Sequence, residues 1–334
     1  MSTHPNCFSA EFEVLPWRSG LTEKPLRLTR LLRPRFSDMT EVVFHIGFHK
    51  TATTWLQSQY FAKHPDIRLL ADWRQPSGDE FLRRIIGSSD RNYNAGLAQA
   101  TLHARLKASQ EQHASVGVIS AERLSGHPFS GGYDNFRIAE RLFACVPNAK
   151  VIAVVRNQFD MISSVYKQLV NEGYRGNCRS LITQTTWKGT AFTAEMYEYD
   201  LLISKYRSLF GEEKVLFTNY EFLRDKRAAF LAALSQFLEI PDKVPCDQMK
   251  KVNESMSDRR FAALRILNQW RRTELNPFPI KDIANARRFV GILSKFVSNR
   301  EVRCDELRDW VRAYYTEPNA RFERLSGIDL NQFI

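Results

Sequence analysis

The chain has 334 residues, of which 43% are hydrophobic and 25% charged, the composition of a globular protein with one large α/β domain or two smaller ones. Its formal net charge of +11 favours an anionic partner such as a nucleotide, an acidic glycan, a membrane surface or a nucleic acid. The five cysteines form no CxxC pair, which argues against a metal or redox site and predicts reduced thiols. With no apolar run of about 18 residues and no signal peptide, we expect a cytoplasmic protein without a transmembrane helix.

Residues 1–40 do not have the pattern of a folded core. They contain four prolines and the basic stretch "RLTRLLRPR", which predicts a partly ordered basic arm. The alternative is a short amphipathic helix within residues 26–36 that contacts an anionic membrane or polymer from the cytoplasmic side. Residues 41–334 are predicted to form the single catalytic or binding domain.

Strands alternate with helices through most of this domain. Buried strands are predicted at 41–47, 116–120 and 149–156, and in the stretch "EKVLFTNYEFL". Alternation of this kind is typical of a central parallel sheet flanked by helices on both faces, which is a three-layer α/β fold. From about residue 257, three amphipathic stretches with basic outer faces predict a helical C-terminal extension.

The loop after the first strand, "GFHKTATTW" at 47–55, has the features of an anion-binding turn. Backbone N–H groups at a helix N-terminus and the helix dipole favour an anion there. Lys50 precedes the small residues, whereas the Walker A loop places its lysine after a glycine and before Ser or Thr. A plain helix capped by threonine is the alternative interpretation.

A second motif follows the third strand, in "VIAVVRNQFDMISSVYKQL". Arg156 ends the strand, and Ser164 follows two helical turns later. The two side chains can hold a phosphate group from two directions. Ligands of open parallel sheets bind outside the carboxyl ends of the strands, so both motifs are predicted to face one crevice.

The two motifs together resemble the donor-binding motifs of the sulfotransferases, and the resemblance extends from about residue 42 to 256. It implies a P-loop-like α/β fold and the donor 3′-phosphoadenosine 5′-phosphosulfate (PAPS), with adenosine 3′,5′-bisphosphate as the product and no metal required. Ala52 stands where the family has glycine, and its Cβ disfavours a positive φ. By the resemblance, the 5′-phosphosulfate would be bound by Lys50, Thr51, Ala52, Thr53 and Thr54. The 3′-phosphate would be bound by Arg156 and Ser164. The contacts to the adenosine would come from Trp55 and Tyr220, and a late-loop contact from Lys251.

Transfer to a hydroxyl also requires a general base across the sulfur from the leaving phosphate. Glu122, directly after the second predicted strand, is the first candidate, and Asp72 is the second. His49 adjoins Lys50 and could contact the acceptor, while Ser120 could contact the donor. Each of these residues could instead have a purely structural role.

The predicted function is therefore sulfuryl transfer from PAPS to an acceptor hydroxyl, with a sugar or glycoconjugate favoured as the acceptor. A P-loop nucleotide kinase and a non-catalytic binder of anionic polymers are the alternatives, and no nucleic-acid recognition motif is present. Residues 171–189 are a candidate lid over the acceptor. Lys250 and Arg259 join Lys251 as candidate basic residues near the 3′-phosphate.

Overall fold

A computed structural model gives the structure of the protein. It describes residues 41–72, 79–110, 114–183, 192–244, 257–273, 286–296 and 307–334. The predicted basic arm and Lys250 and Lys251 lie outside these residues, as does the second part of the candidate lid. The division of the chain at residue 40 therefore stays a prediction.

The sheet is parallel throughout and has the order β2-β3-β1-β4-β5 in the described part of the chain. This confirms the predicted α/β class. β2 was not predicted, and Tyr220, which was expected to end the last strand, instead begins a helix. The strands are β1 (Glu41–His45), β2 (Ile67–Asp72), β3 (Val116–Ser120), β4 (Lys150–Val155) and β5 (Val215–Asn219).

Helices connect the strands and continue beyond the sheet as the predicted C-terminal extension. None of the described helices is both long and apolar enough to cross a membrane. The helices before β5 are α1 (Thr53–Trp55, continued by a π-helical segment Leu56–Phe61), α2 (Glu80–Leu82, continued by Arg83–Gly87), α3 (Ala95–Gln110), α4 (Asn135–Cys145), α5 (Gln158–Glu172), α6 (Cys178–Thr183) and α7 (Tyr199–Phe210). Those after β5 are α8 (Tyr220–Asp225), α9 (Arg227–Phe237), α10 (Asp258–Leu267), α11 (Ala286–Leu293) and α12 (Arg308–Ser326).

Two separate hydrophobic cores lie on the two faces of the sheet. In β4, Val151, Ala153 and Val155 belong to one core, while Ile152 and Val154 belong to the other. The first core also contains side chains of α3–α7, α10 and α12, and the second contains those of α1 and α9. Because both faces are covered, the middle of each central strand is apolar on both sides, as in Val42–Phe44 of β1 and Val151–Val155 of β4, which is expected for a buried parallel sheet.

The strand order places a topological switch point between β1 and β4. The chain leaves β1 towards β2 on one side of the sheet, and it leaves β4 towards β5 on the other side. Neighbouring parallel strands whose connections diverge leave a crevice at their carboxyl ends, where ligands of such sheets bind. The two motifs identified in the sequence begin at this point.

The cysteines depart from the expectation of reduced thiols. Cys145 is a free, buried thiol, but Cys178 at the start of α6 is disulfide-bonded.

Candidate functional site

The loop between β1 and α1 turns tightly beneath the crevice. A Cβ at Gly47 would lie 2.5 Å from the Thr53 hydroxyl oxygen, so the close approach of these two residues requires glycine. Lys50 and Ala52 adopt left-handed backbone conformations, with φ of 65° and 64°. The turn therefore imposes a positive φ on Ala52 although alanine disfavours it, and this conformation costs about 1–2 kcal/mol.

The threonine hydroxyls of the loop differ in their surroundings. Thr51 Oγ1 donates to the carbonyl oxygen of Phe48 at 2.6 Å, and Thr53 Oγ1 lies 3.5 Å from the same atom. Both side chains are buried, whereas Thr54 is half-buried and Lys50 is exposed. Because the first N–H groups of a helix have no partner within it, the backbone at Thr53 and Thr54 supplies donors at this end of the crevice.

Arg156 joins the second motif to the first. Its Nη1 donates to the carbonyl oxygen of Lys50 at 3.4 Å, and its Nη2 lies 3.4 Å from Asp160 Oδ2. The guanidinium carbon lies 4.8 Å from the centre of the Tyr220 ring, a cation–π contact. Ser164 is half-buried on α5, two turns beyond Arg156. The loop after β1 and the arginine after β4 are thus in direct contact at the switch point.

Hydrogen bonds hold the junction between β4 and α5. Asn157 caps α5 by accepting from the Asp160 N–H at 2.9 Å. Its own backbone N–H and side-chain amide donate to Glu221 Oε1, at 3.2 and 2.7 Å. Tyr199 Oη donates to the Arg156 carbonyl oxygen at 2.8 Å.

On the other side of the loop, Glu122 begins a 3₁₀ turn directly after β3. Its Oε2 lies 4.0 Å from His49 Nε2. Burial raises the pKa of Glu122 above its usual range, and the nearby charge of Lys50 opposes this rise. A carboxyl group, an imidazole and an ammonium group are therefore grouped at the adjacent ends of β3 and β1.

His49 is neutral at physiological pH. Burial, and to a smaller extent the charges of His127, Arg123 and Lys50, lowers its pKa to about 3. The rings of His49 and His127 lie edge to face, with centroids 5.8 Å apart. An imidazole with so low a pKa is a much weaker base than a carboxylate whose pKa is raised.

Ser120 lies beneath the crevice, fully buried. Its hydroxyl is 2.7 Å from His45 Nδ1 and accepts from Gln57 Nε2 at 3.0 Å. Burial also lowers the pKa of His45 to about 3, which keeps this ring neutral. The hydroxyl of Ser120 is thus engaged inside the protein, where it links β1, β3 and α1.

The remaining candidates lie farther from this group. Asp72 ends β2 in register with Ser120, so β3 separates it from β1. Trp55 is buried, with the Arg227 guanidinium 5.2 Å from its ring centre. Arg259 is exposed on α10.

Three residues that contact or surround the candidate site were not predicted from the sequence. Arg123 and His127 follow Glu122 in the same segment, "AERLSGHP", and their nearness to Glu122 was the available signal. Glu221 follows Tyr220 directly, but its link to Asn157 depends on how the ends of β4 and β5 meet. Such a contact between distant segments leaves no pattern in either one.

A parallel sheet with its switch point between β1 and β4, a tight turn after β1 and an arginine after β4 are the features of a P-loop-like α/β protein. Residues 42–244, more than half of the chain, match the family model described as "Sulfotransferase family". The chain belongs to the sulfotransferase family, and the activity of that family is sulfuryl transfer.

One solved sulfotransferase has a similar fold. The crystal structure of a sulfotransferase from Alicyclobacillus acidocaldarius superimposes with a TM-score of 0.52 at 17% identity, covering 86% of this chain and 96% of that one, which shows the shared fold. The sulfotransferase domain from the curacin biosynthetic pathway gives a TM-score of 0.40 at 18% identity, covering 77% of this chain and 98% of that domain. No curated protein matches this chain in sequence.

Proposed function

We propose that this sulfotransferase uses PAPS as its donor and transfers the sulfuryl group in line to an acceptor hydroxyl. The observation that carries the proposal is the contact between Arg156 Nη1 and the Lys50 carbonyl oxygen at 3.4 Å. It brings the two motifs close enough to hold the two ends of one small nucleotide. An adenosine with anionic groups at its 5′ and 3′ positions has this arrangement of charge.

In this proposal, the 5′-phosphosulfate lies on the turn formed by Lys50, Thr51, Ala52, Thr53 and Thr54. The N–H groups at the start of α1 donate to it, and the exposed Lys50 side chain neutralises the bridging oxygen as the bond to sulfur breaks. The hydroxyls of Thr51 and Thr53 brace the turn by way of Phe48. The half-buried Thr54 hydroxyl remains as a side-chain donor to the anion.

The 3′-phosphate lies on Arg156 and Ser164, and Tyr220 contacts the adenine. The geometry around Arg156 supports this assignment, because the Tyr220 ring and Asp160 hold its guanidinium beside the loop. Trp55 is buried in the hydrophobic core on one face of the sheet, with the Arg227 guanidinium over its ring. Lys251 remains a proposed late-loop contact outside the described residues.

Glu122 is the proposed general base. It accepts the proton of the acceptor hydroxyl while that oxygen forms a bond to sulfur, the bond from sulfur to the bridging oxygen breaks, and adenosine 3′,5′-bisphosphate leaves. Its raised pKa makes it a stronger base than an ordinary carboxylate. Glu122 follows β3, which lies next to β1, whereas Asp72 follows β2, one strand farther away.

The proposed acceptor is a sugar or glycoconjugate hydroxyl. Support comes from the base, because an alcohol with a high pKa gains more from a basic carboxylate than an acidic phenol does. Neutral His49, beside Glu122, can hydrogen-bond the acceptor without competing for its proton.

Calorimetry with adenosine 3′,5′-bisphosphate, with and without magnesium, tests the donor assignment. We expect micromolar binding that does not depend on the metal and that is weakened by Arg156→Ala. Arg68→Ala, which removes an exposed arginine on the edge strand β2, is the charge-matched control and should bind like the wild type. Magnesium-dependent binding of ATP would instead indicate a phosphotransferase, and the absence of nucleotide binding would indicate a polymer-binding protein.

A further inference from the structure

Glu221 is a buried carboxylate that lies beside the proposed donor site. It is the second residue of α8, directly beyond β5, and its side chain is 1% exposed. Its Oε1 accepts two hydrogen bonds from Asn157, but its Oε2 is buried and has no hydrogen-bond partner among the described residues. A carboxylate in this state costs stability unless it is paired, so stability alone does not account for it.

The groups that Glu221 holds belong to the second motif. Asn157 connects Arg156 to α5, and its side-chain oxygen caps that helix. Tyr220, the neighbour of Glu221, places its ring against the Arg156 guanidinium. Glu221 thus holds Asn157 by its backbone N–H and side-chain amide, and Tyr220 holds the guanidinium of Arg156.

We infer that Glu221 is a positioning residue for the subsite that binds the 3′-phosphate of the donor. Its carboxylate fixes Asn157 by two charge-assisted hydrogen bonds, and Asn157 fixes the backbone from which the Arg156 side chain projects. Tyr199 secures the same backbone from α7 by its bond to the Arg156 carbonyl oxygen. Glu221 acts through Asn157 and Arg156, and it does not touch the nucleotide. The inference rests on the proposed PAPS-dependent function.

The test compares two nucleotides that differ only at the 3′ position. Calorimetry on the full chain gives Kd for adenosine 3′,5′-bisphosphate and for adenosine 5′-monophosphate. Glu221→Ala should weaken binding of the bisphosphate about tenfold or more, as loss of a residue that orients a ligand-binding side chain commonly does, and should leave binding of the monophosphate nearly unchanged. Glu221→Gln keeps one oxygen that can accept from Asn157 and should restore most of the lost affinity.

Asp79→Ala is the matched structural control. Asp79 is also fully buried and caps a helix, accepting from the Leu82 N–H at 3.0 Å. This variant should lower Tm without changing the ratio of the two affinities. If Glu221→Ala does not fold, Asn157→Ala removes the group that Glu221 holds and should cause the same selective loss.

The outcomes separate this inference from the proposed function. If the Glu221 and Asn157 variants leave the ratio of the two Kd values unchanged, whether both affinities fall equally or neither falls, the positioning role is overturned. A wild-type protein that does not prefer the bisphosphate over the monophosphate would instead refute the 3′-phosphate site itself.

Discussion

At the residue scale, Lys50 links the two halves of the proposed reaction. It lies on the turn that would hold the donor, and its charge also acts on the pKa values of Glu122 and His49. A cation in this position stabilises the charge that develops on the bridging oxygen, which is a contribution made mainly in the transition state.

Lys50→Ala should therefore lower kcat about 100-fold or more, with a much smaller change in KM for the acceptor. Steady-state kinetics with PAPS and a sugar acceptor measure this. Lys63→Ala, which removes an exposed lysine beyond α1, should behave as the wild type. A Lys50→Ala enzyme with full kcat would show that this side chain does not act in the transfer step.

Glu122 should make activity and stability depend on pH in opposite directions. As the base it must be ionised, so kcat/KM should rise with pH through its raised pKa. Glu122→Gln should remove most of the activity and abolish this rise, as a pH–rate profile would reveal. Unchanged activity in this variant would move the base to Asp72 or His49.

For stability the sign is reversed. Because the folded-state pKa of Glu122 is raised, its contribution to stability is complete below the ordinary glutamate pKa and is lost as the pH rises through the folded value. Glu122→Gln resembles the protonated form, so its Tm should exceed that of the wild type at pH 7. The difference should shrink at acidic pH, and a lower Tm at pH 7 would contradict the raised pKa of this carboxyl group.

Ala52 carries a measurable strain. Glycine at this position would relieve the left-handed conformation, which costs alanine about 1–2 kcal/mol, but would add about 0.5–1 kcal/mol of unfolded-state entropy. Ala52→Gly should therefore raise the free energy of unfolding by about 0.5–1 kcal/mol in urea titrations. Ala62→Gly, at a right-handed position, should lower it, and a loss in both variants would argue against the positive φ at Ala52.

At the element scale, the alternation of strands with helices was predictable and the edge strand β2 was not. The register of β2 against β3 shifts between Leu69 and Ala71, a β-bulge or similar irregularity. This breaks the regular alternation of buried and exposed residues that identifies a strand in a sequence.

The C-terminal helix α12 is tied to the second motif by a buried amide network. Gln158, the first residue of α5, donates to Asn319 Oδ1 at 2.6 Å, and Asn319 Nδ2 donates back to Gln158 Oε1 at 3.1 Å. Asn319 also donates to Asn331 Oδ1 at 3.0 Å. This part of the extension therefore belongs to the packing behind the candidate site.

Asn319→Ala should lower the free energy of unfolding by about 1–3 kcal/mol, because it leaves the buried Gln158 Oε1 without the Asn319 donor, while Gln158 Nε2 keeps its bond to the Tyr197 carbonyl oxygen. Chemical denaturation measures the loss. Asn92→Ala, at an exposed position, should change stability by less than about 0.5 kcal/mol. A neutral Asn319→Ala would show that water or another group satisfies Gln158.

At the scale of the whole molecule, the location of the site followed from the fold class. The carboxyl ends of parallel strands meet at one edge, so residues after separate strands could be grouped before their order was known. This rule is the reason that Lys50, Glu122 and Arg156 could be assigned to one candidate site from the sequence. The strand order, with β1 between β3 and β4, was not predictable, because it depends on how the crossover helices pack.

The central claim is that one crevice at this switch point holds both ends of the donor. The most direct test is a crystal structure of the protein with adenosine 3′,5′-bisphosphate. The account predicts the 5′-phosphate against Lys50 and the N–H groups of Thr53 and Thr54, and the 3′-phosphate against Arg156 and Ser164. A nucleotide bound elsewhere, or one whose 3′-phosphate points away from Arg156, would contradict it.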